Sequence, residues 1–96
     1  MSDNLTLDHF TPLVGEYFRL HATPEQQLCL TEARALGRAR PESGSEAFAL
    51  SLIGPAEPWA PQGIWRLEHP KLGVLELFMV PNGPDSRGMR YEIVFN

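Results

Sequence analysis

Proline and glycine occur so often along this chain that no stretch free of both exceeds 12 residues. The chain holds nine prolines and eight glycines among its 96 residues, and proline is used at nearly twice its average of about 5%. Proline inside a helix removes a hydrogen bond and clashes with the preceding turn, and interior glycine also destabilises helices. This spacing therefore excludes a long helical bundle and a coiled coil.

The gaps between these residues have the length of β-strands. Apolar and polar or small side chains alternate in several of them, as at Phe48, Leu50 and Leu52, and this period of two is typical of strands with one buried face. We therefore expect one all-β domain over residues 1–96, a small antiparallel barrel or strongly curled sheet of about six strands, because closure removes exposed edges. The expected strands lie within residues 16–23, 25–36, 45–53, 64–69, 74–80 and 89–96.

Two segments near the N-terminus have helical features. Residues 5–10 predict a short helical turn, with Phe10, Leu13 and Val14 covering the core. Residues 25–36 follow Thr23 and Pro24, which suit a helix start, and most of them are good helix formers. The same residues also alternate in polarity, so an α+β fold with a helix at 25–36 stays open as the alternative.

Charge and length exclude several classes of function. The net charge is −4 and the isoelectric point is near 5.2, whereas nonspecific nucleic-acid binding needs a cationic face. Arg34, Arg38 and Arg40 form a short basic run that departs from this acidic balance. A run this short is typical of a solvated loop, and we expect such a loop over residues 38–45. No apolar run approaches the ~20 residues of a membrane span, and the polar opening residues lack a signal-peptide pattern, so we expect a cytoplasmic protein.

The sequence contains no catalytic or metal-binding pattern. Its three histidines are far apart, and the single cysteine, Cys29, lies between leucines. Ser51 lacks the glycine turn of a nucleophilic serine. We therefore expect no enzyme activity and no cofactor. The strand carboxylates are expected to form cross-strand ion pairs with the strand arginines; these residues are Glu68, Glu76, Glu92, Arg66 and Arg90.

Four residues stand out as candidates for contact with a partner. Residues 74–80 are apolar on both faces except at Glu76, which is typical of a central strand covered on both sides, or of one whose outer face meets a partner; Phe78 and Val80 lie there. Trp59, in a proline-rich loop, either packs over the barrel end or is an exposed anchor. His69, at a predicted hairpin tip, either bonds loop backbone or joins the contact surface.

Six short stretches occur in an order that resembles a small bacterial family of about 100 residues, a domain of unknown function. The resemblance implies a strand over residues 27–35. It also implies gene neighbours that resemble phage-tail-collar proteins, and hence an accessory or assembly role. The family has no assigned catalytic residues. The stretches are VGEYF (14–18), FALSLIGP (48–55), PQGIW (61–65), HPKLG (69–73), LFMVP (77–81) and YEIVFN (91–96).

These observations predict a non-enzymatic interaction or assembly module, accessory to a phage-tail-like structure. Its partner would be another protein or a second copy of the chain, and not nucleic acid or a membrane. The alternative is a β-barrel that binds a small ligand, a sugar or a lipid, at its mouth or at the Trp59 loop.

Overall fold

The computed structural model describes residues 5–37 and 47–95. The predicted loop at 38–45, with Arg38 and Arg40, lies outside the described residues. The described chain forms one α-helix, one 3-10 helix and six β-strands. They are α1 (Leu7–Phe10), the 3-10 helix (Thr11–Leu13), β1 (Tyr17–Leu20), β2 (Gln26–Gly37), β3 (Ala47–Gly54), β4 (Gly63–His69), β5 (Gly73–Pro81) and β6 (Met89–Phe95).

The six strands close into an antiparallel barrel in the order β1-β2-β3-β6-β5-β4. Both the all-β prediction and the predicted positions of the six strands are confirmed. The helix alternative for residues 25–36 is wrong, because β2 pairs with β1 on one side and with β3 on the other. Gln26, Leu28 and Leu30 then all point inward, so tertiary pairing overrides the local helix propensity.

The ladders that close the barrel differ in length. β3 and β6 are paired from Phe48–Phe95 to Gly54–Met89. Within the described residues, β5 and β6 are paired at Val80–Glu92 and Pro81–Tyr91, and β1 and β4 at two further positions. The barrel is therefore two three-stranded meanders, β1-β2-β3 and β4-β5-β6, joined by the long β3–β6 seam and by the short β1–β4 seam.

The core lies inside the barrel and is covered at one end by the N-terminal helices. The Phe10 ring is fully buried, with centroids 6.4, 5.8 and 5.5 Å from those of Phe18, Phe48 and Phe95. The predicted core roles of Phe10 and Leu13 are confirmed. The prediction for Val14 is wrong, since this side chain is 43% exposed where the chain turns into β1. No described helix is long and apolar enough to cross a bilayer.

Candidate interaction surface around Trp59

The loop between β3 and β4, residues 55–62, holds Trp59 in a fixed backbone position with its side chain 49% exposed. Gln26 Nε2 donates a 2.6 Å hydrogen bond to the carbonyl oxygen of Pro58, and the backbone N–H of Ala60 donates a 2.8 Å bond to the Tyr91 hydroxyl. Trp65 Nε1 donates to the Pro61 carbonyl oxygen at 2.8 Å. The residues on both sides of Trp59 are therefore bound by side chains of β2, β4 and β6.

Two of these supporting side chains are buried polar groups. Tyr91 is 1% exposed and Gln26 is 7% exposed. Burial raises the pKa of the Tyr91 hydroxyl, against a smaller lowering by the Ala60 N–H, so the hydroxyl stays neutral. A buried polar group that loses its partner destabilises the fold. The loop conformation is thus linked to the packing of the barrel interior.

A groove of about 330 Å³ lies beside Trp59 at this end of the barrel. Glu57 and Trp59 also border a second depression together with Pro58. A Cβ at Gly88 would collide with the carbonyl oxygen of Gly54, so the loop before β6 lies directly on the end of β3. The groove walls are Ala56, Glu57 and Trp59 on one side and Pro81, Pro84 and Met89 on the other.

The outer face of β4 and β5 carries a pair of exposed apolar side chains. Ile64 and Phe78 are opposite each other in the ladder and are 73% and 50% exposed. Val80 is half-buried two residues further along the same face. Pro81 in the groove wall follows Phe78 by three residues, or about 10 Å along a strand. We call Trp59, its groove and the outward side chains Ile64, Phe78 and Val80 the Trp59–Phe78 face.

The outer side of β5 is not covered by the described residues. Val74 and Phe78, which point outward, are 51% and 50% exposed. Of the two interpretations of residues 74–80, the central strand covered on both sides is therefore wrong, because the described chain places no second layer over this face. The partner interpretation stays a prediction.

His69 lies at the opposite end of β4 from Ile64 and is 3% exposed. Its Nδ1 accepts a hydrogen bond from the backbone N–H of Lys71 at 3.1 Å, so Nε2 donates to Glu16 Oε1 at 2.7 Å. The ring also packs on Phe18, with centroids 4.9 Å apart. The predicted bond to loop backbone is confirmed, and His69 is not part of the Trp59–Phe78 face.

The candidate nucleophiles have structural partners. Ser51 Oγ accepts a hydrogen bond from Arg34, and Cys29 Sγ lies 3.9 Å from the Leu30 carbonyl oxygen. Among residues 5–37 and 47–95, no group of three or more His, Cys, Asp or Glu side chains could hold a metal ion.

The predicted cross-strand ion pairs are confirmed in part. Arg66 pairs with Glu76, with Nε and Oε2 3.1 Å apart. The other two strand carboxylates find different partners, since Glu68 binds Arg19 and His21 while Glu92 binds Arg34. Arg90 instead lies 3.8 Å from Asp85.

Sequence reasoning missed Gln26 and Tyr91, the two buried supports of the Trp59 loop. Tyr91 carried a usable indication, because it occupies an inward position in the alternating β6 pattern and a buried tyrosine hydroxyl usually needs a partner. Gln26 offered no comparable indication, since its partner, Pro58, is 32 residues away.

Comparison with known proteins identifies the family of this chain. Neither the curated proteins nor the solved structures give a match. A family model does match, over residues 5–95, and it spans every described element of the barrel together with the Trp59–Phe78 face. On that match the chain belongs to the family described as Domain of unknown function (DUF6916).

Proposed function

We propose that this domain is a non-enzymatic interaction module that binds another protein through the Trp59–Phe78 face. The observation that carries the proposal is the half-exposed Trp59 side chain on a backbone held from inside the barrel by Gln26 and Tyr91. Tryptophan is enriched among residues that dominate binding energy. An anchor whose backbone is already fixed loses little conformational entropy on binding.

The size of a stable interface explains why the face extends beyond the groove. A standard interface covers about 800 Å² on each partner, which is roughly one seventh of the 5951 Å² accessible surface of this domain. A single tryptophan cannot supply such an area. Ile64 and Phe78 add exposed apolar surface on regular strands, and exposed apolar patches of this kind mark interaction sites.

The partner class follows from charge and from the family resemblance. The net charge of −4 disfavours nucleic acid and anionic membrane surfaces. Gene neighbours that resemble phage-tail-collar proteins, implied by the resemblance, support an accessory role in assembling a tail-like structure in the cytoplasm. We therefore propose a collar-like protein as the partner, and self-association is an outcome that the test separates.

The test measures complex formation by light scattering and by titration against purified collar-like proteins from the neighbouring genes. We expect saturable binding that is weakened by Trp59→Ala and by Phe78→Lys. Tyr17→Ala, which removes a still more exposed aromatic side chain from β1, is the matched control and should leave binding unchanged. A strict monomer that binds none of these proteins overturns the proposal, as does binding insensitive to both face variants. If the domain instead self-associates as its concentration rises, the partner is a second copy of the chain and the proposed collar-like partner is wrong.

A small-ligand function is the second candidate, and the groove beside Trp59 is the observation that favours it. Its volume of about 330 Å³ falls within the usual range of ligand pockets, roughly 300–1,000 Å³. The inward positions of the barrel are filled by side chains such as Leu50, Leu52 and Met79, so a sugar or lipid would bind at the mouth. Titration with decanoate and with maltotriose, followed by tryptophan fluorescence in the wild type and in Trp59→Ala, tests this function.

A further inference from the structure

A further depression, of about 450 Å³ and distinct from the two beside Trp59, lies on the outer surface of β1, β2 and β4. It is lined by Tyr17, Arg19, Gln27, Glu68 and Pro70. The ladder registers place Arg19 opposite Gln27 on one side and opposite Glu68 on the other, so three planar polar side chains form a row across the sheet. Tyr17 lies two residues away on the same face of β1 and is 60% exposed.

Two of the three polar groups of this row, Arg19 and Glu68, are paired with each other before any ligand binds. Glu68 Oε1 accepts hydrogen bonds from Arg19 at 2.6 Å and from His21 Nε2 at 2.9 Å. Arg19 Nε also lies 3.6 Å from a carboxylate oxygen of Glu25. Within the described residues Glu68 Oε2 has no such bond, and the Gln27 side chain is exposed. The paired Arg19 donor and Glu68 acceptor therefore lie beside the exposed Gln27 amide and next to an aromatic ring.

The ionisation of Glu68 is also fixed by its neighbours. Hydrogen bonds from Arg19, and then from His21, lower the pKa of the Glu68 carboxyl below its usual value of 4.5. The group is thus a carboxylate at neutral pH and acts as an acceptor. The Arg19 guanidinium, whose pKa is raised mainly by the Glu68 hydrogen bond, stays a donor.

The internal pairing of charges selects the class of ligand. An anion would meet the carboxylates of Glu25 and Glu68, and a cation would have to displace Arg19 from both. A neutral ligand with several hydroxyl groups can accept from the guanidinium and donate to carboxylate or amide oxygens without breaking either pair. The faces of sugar rings carry C–H groups that pack on the negative face of an aromatic ring such as Tyr17.

We infer that the Tyr17 depression is a binding site for a neutral carbohydrate, with Tyr17 stacking on a sugar ring and Arg19, Gln27 and Glu68 bonding its hydroxyl groups. The depression lies on β1, β2 and the end of β4 near Glu68 and Pro70, whereas Ile64 of the Trp59–Phe78 face lies at the opposite end of β4. The inference therefore does not depend on the proposed protein partner.

The experiment follows backbone amide resonances of the full chain during titration with maltotriose, cellotriose and chitotriose, each to about 10 mM so that millimolar affinity is detected. We expect saturable shifts at Tyr17, Arg19 and Gln27 with at least one of these sugars. Tyr17→Ala should weaken that binding about tenfold, the equivalent of about 1.4 kcal/mol, while Tyr17→Phe keeps the ring and the binding. Phe78→Ala, which changes the Trp59–Phe78 face, should leave carbohydrate binding unchanged.

Three outcomes overturn the inference. The first is that none of the three sugars gives a saturable shift. The second is that Tyr17→Ala binds a sugar with the same affinity as the wild type. The third is that a sulfated oligosaccharide, titrated in parallel, binds while the neutral sugars do not. Because Tyr17 is exposed, the remaining resonances of Tyr17→Ala should match the wild type. Trp59→Ala provides the separation from the proposed function, since it should weaken protein binding and leave carbohydrate binding intact.

Discussion

The backbone N–H of Ala60 donates a 2.8 Å hydrogen bond to the hydroxyl of Tyr91, a β6 side chain inside the barrel. Ala60 is itself 4% exposed, so no solvent replaces this bond if it is lost. On the other side of Trp59, Gln26 of β2 binds the Pro58 carbonyl oxygen. The position of the exposed tryptophan thus depends on two strands that flank β3 in the barrel.

Tyr91→Phe should keep the ring packed and leave the Ala60 N–H unpaired. We expect a loss of about 1–3 kcal/mol in the free energy of unfolding, the cost of an unsatisfied buried donor, together with faster hydrogen exchange at Ala60. Chemical denaturation and amide exchange measure the two effects. Tyr17→Phe, which removes an exposed hydroxyl, is the control and should stay within about 0.5 kcal/mol of the wild type. Equal stability of the two variants contradicts the role assigned to Tyr91.

The Arg19–Glu68 pair makes the β1–β4 seam sensitive to acid. The pKa of Glu68 is lowered in the folded state, so its contribution to stability is fully present above its usual value of 4.5 and is lost as the pH falls through the lower folded pKa. A carboxyl titration by NMR should place the Glu68 midpoint below that of an unfolded chain. Arg19→Gln should raise the midpoint, and His21→Asn should raise it less, because Arg19 is the larger cause. No response to Arg19→Gln would rule out this assignment.

Phe10 should be among the most sensitive positions in the chain. Its ring packs between Phe18, Phe48 and Phe95 at the end of the barrel, and truncation of a buried phenylalanine to alanine costs about 3–5 kcal/mol. Denaturant titration of Phe10→Ala tests this. Val14→Ala is the matched control four residues away, where exposure predicts a change of about 0.5 kcal/mol or less. A small effect of Phe10→Ala would mean that α1 is not required for the core.

Amide exchange should also follow the lengths of the ladders. β3 is paired along most of its length with both β2 and β6, whereas β1 has four residues and a short ladder with β4. We expect Leu50 and Leu52 of β3 to exchange at rates set by global unfolding, and Arg19 and Leu20 to exchange faster through local opening. Uniform protection across the two strands would contradict this order.

The fold was predictable because two local patterns agree with the global structure. Proline and glycine mark the ends of the strands, and alternation at residues such as Phe48, Leu50 and Leu52 identifies the buried face. At β2 the alternation competes with local helix propensity. Propensity alone favours a helix there, and the strand forms because β1 and β3 offer ladders on both sides.

Residues of the candidate surfaces could be predicted only where the residue type itself indicated an exposed contact. Trp59 and Phe78 are large apolar residues in places where no local partner covers them, and both are about half exposed. The supporting contacts escaped because they join residues far apart in sequence, such as Arg19 with Glu68 and Ala60 with Tyr91. Side-chain pairs of this kind depend on the register of the closed barrel, which no local pattern fixes.

Inward and outward side chains alternate along β4 and β5, so the positions that stabilise the barrel differ from the positions that are free to vary. The side chains of Leu67, Leu75 and Met79 are buried inside the barrel. Those of Ile64 and Phe78, on the same strands, point outward and are not covered by other described residues. Libraries randomised at the outward positions should therefore retain folded members at high frequency. The barrel is suited to acquire new binding partners by surface substitution alone, with its stability left to residues that no partner touches.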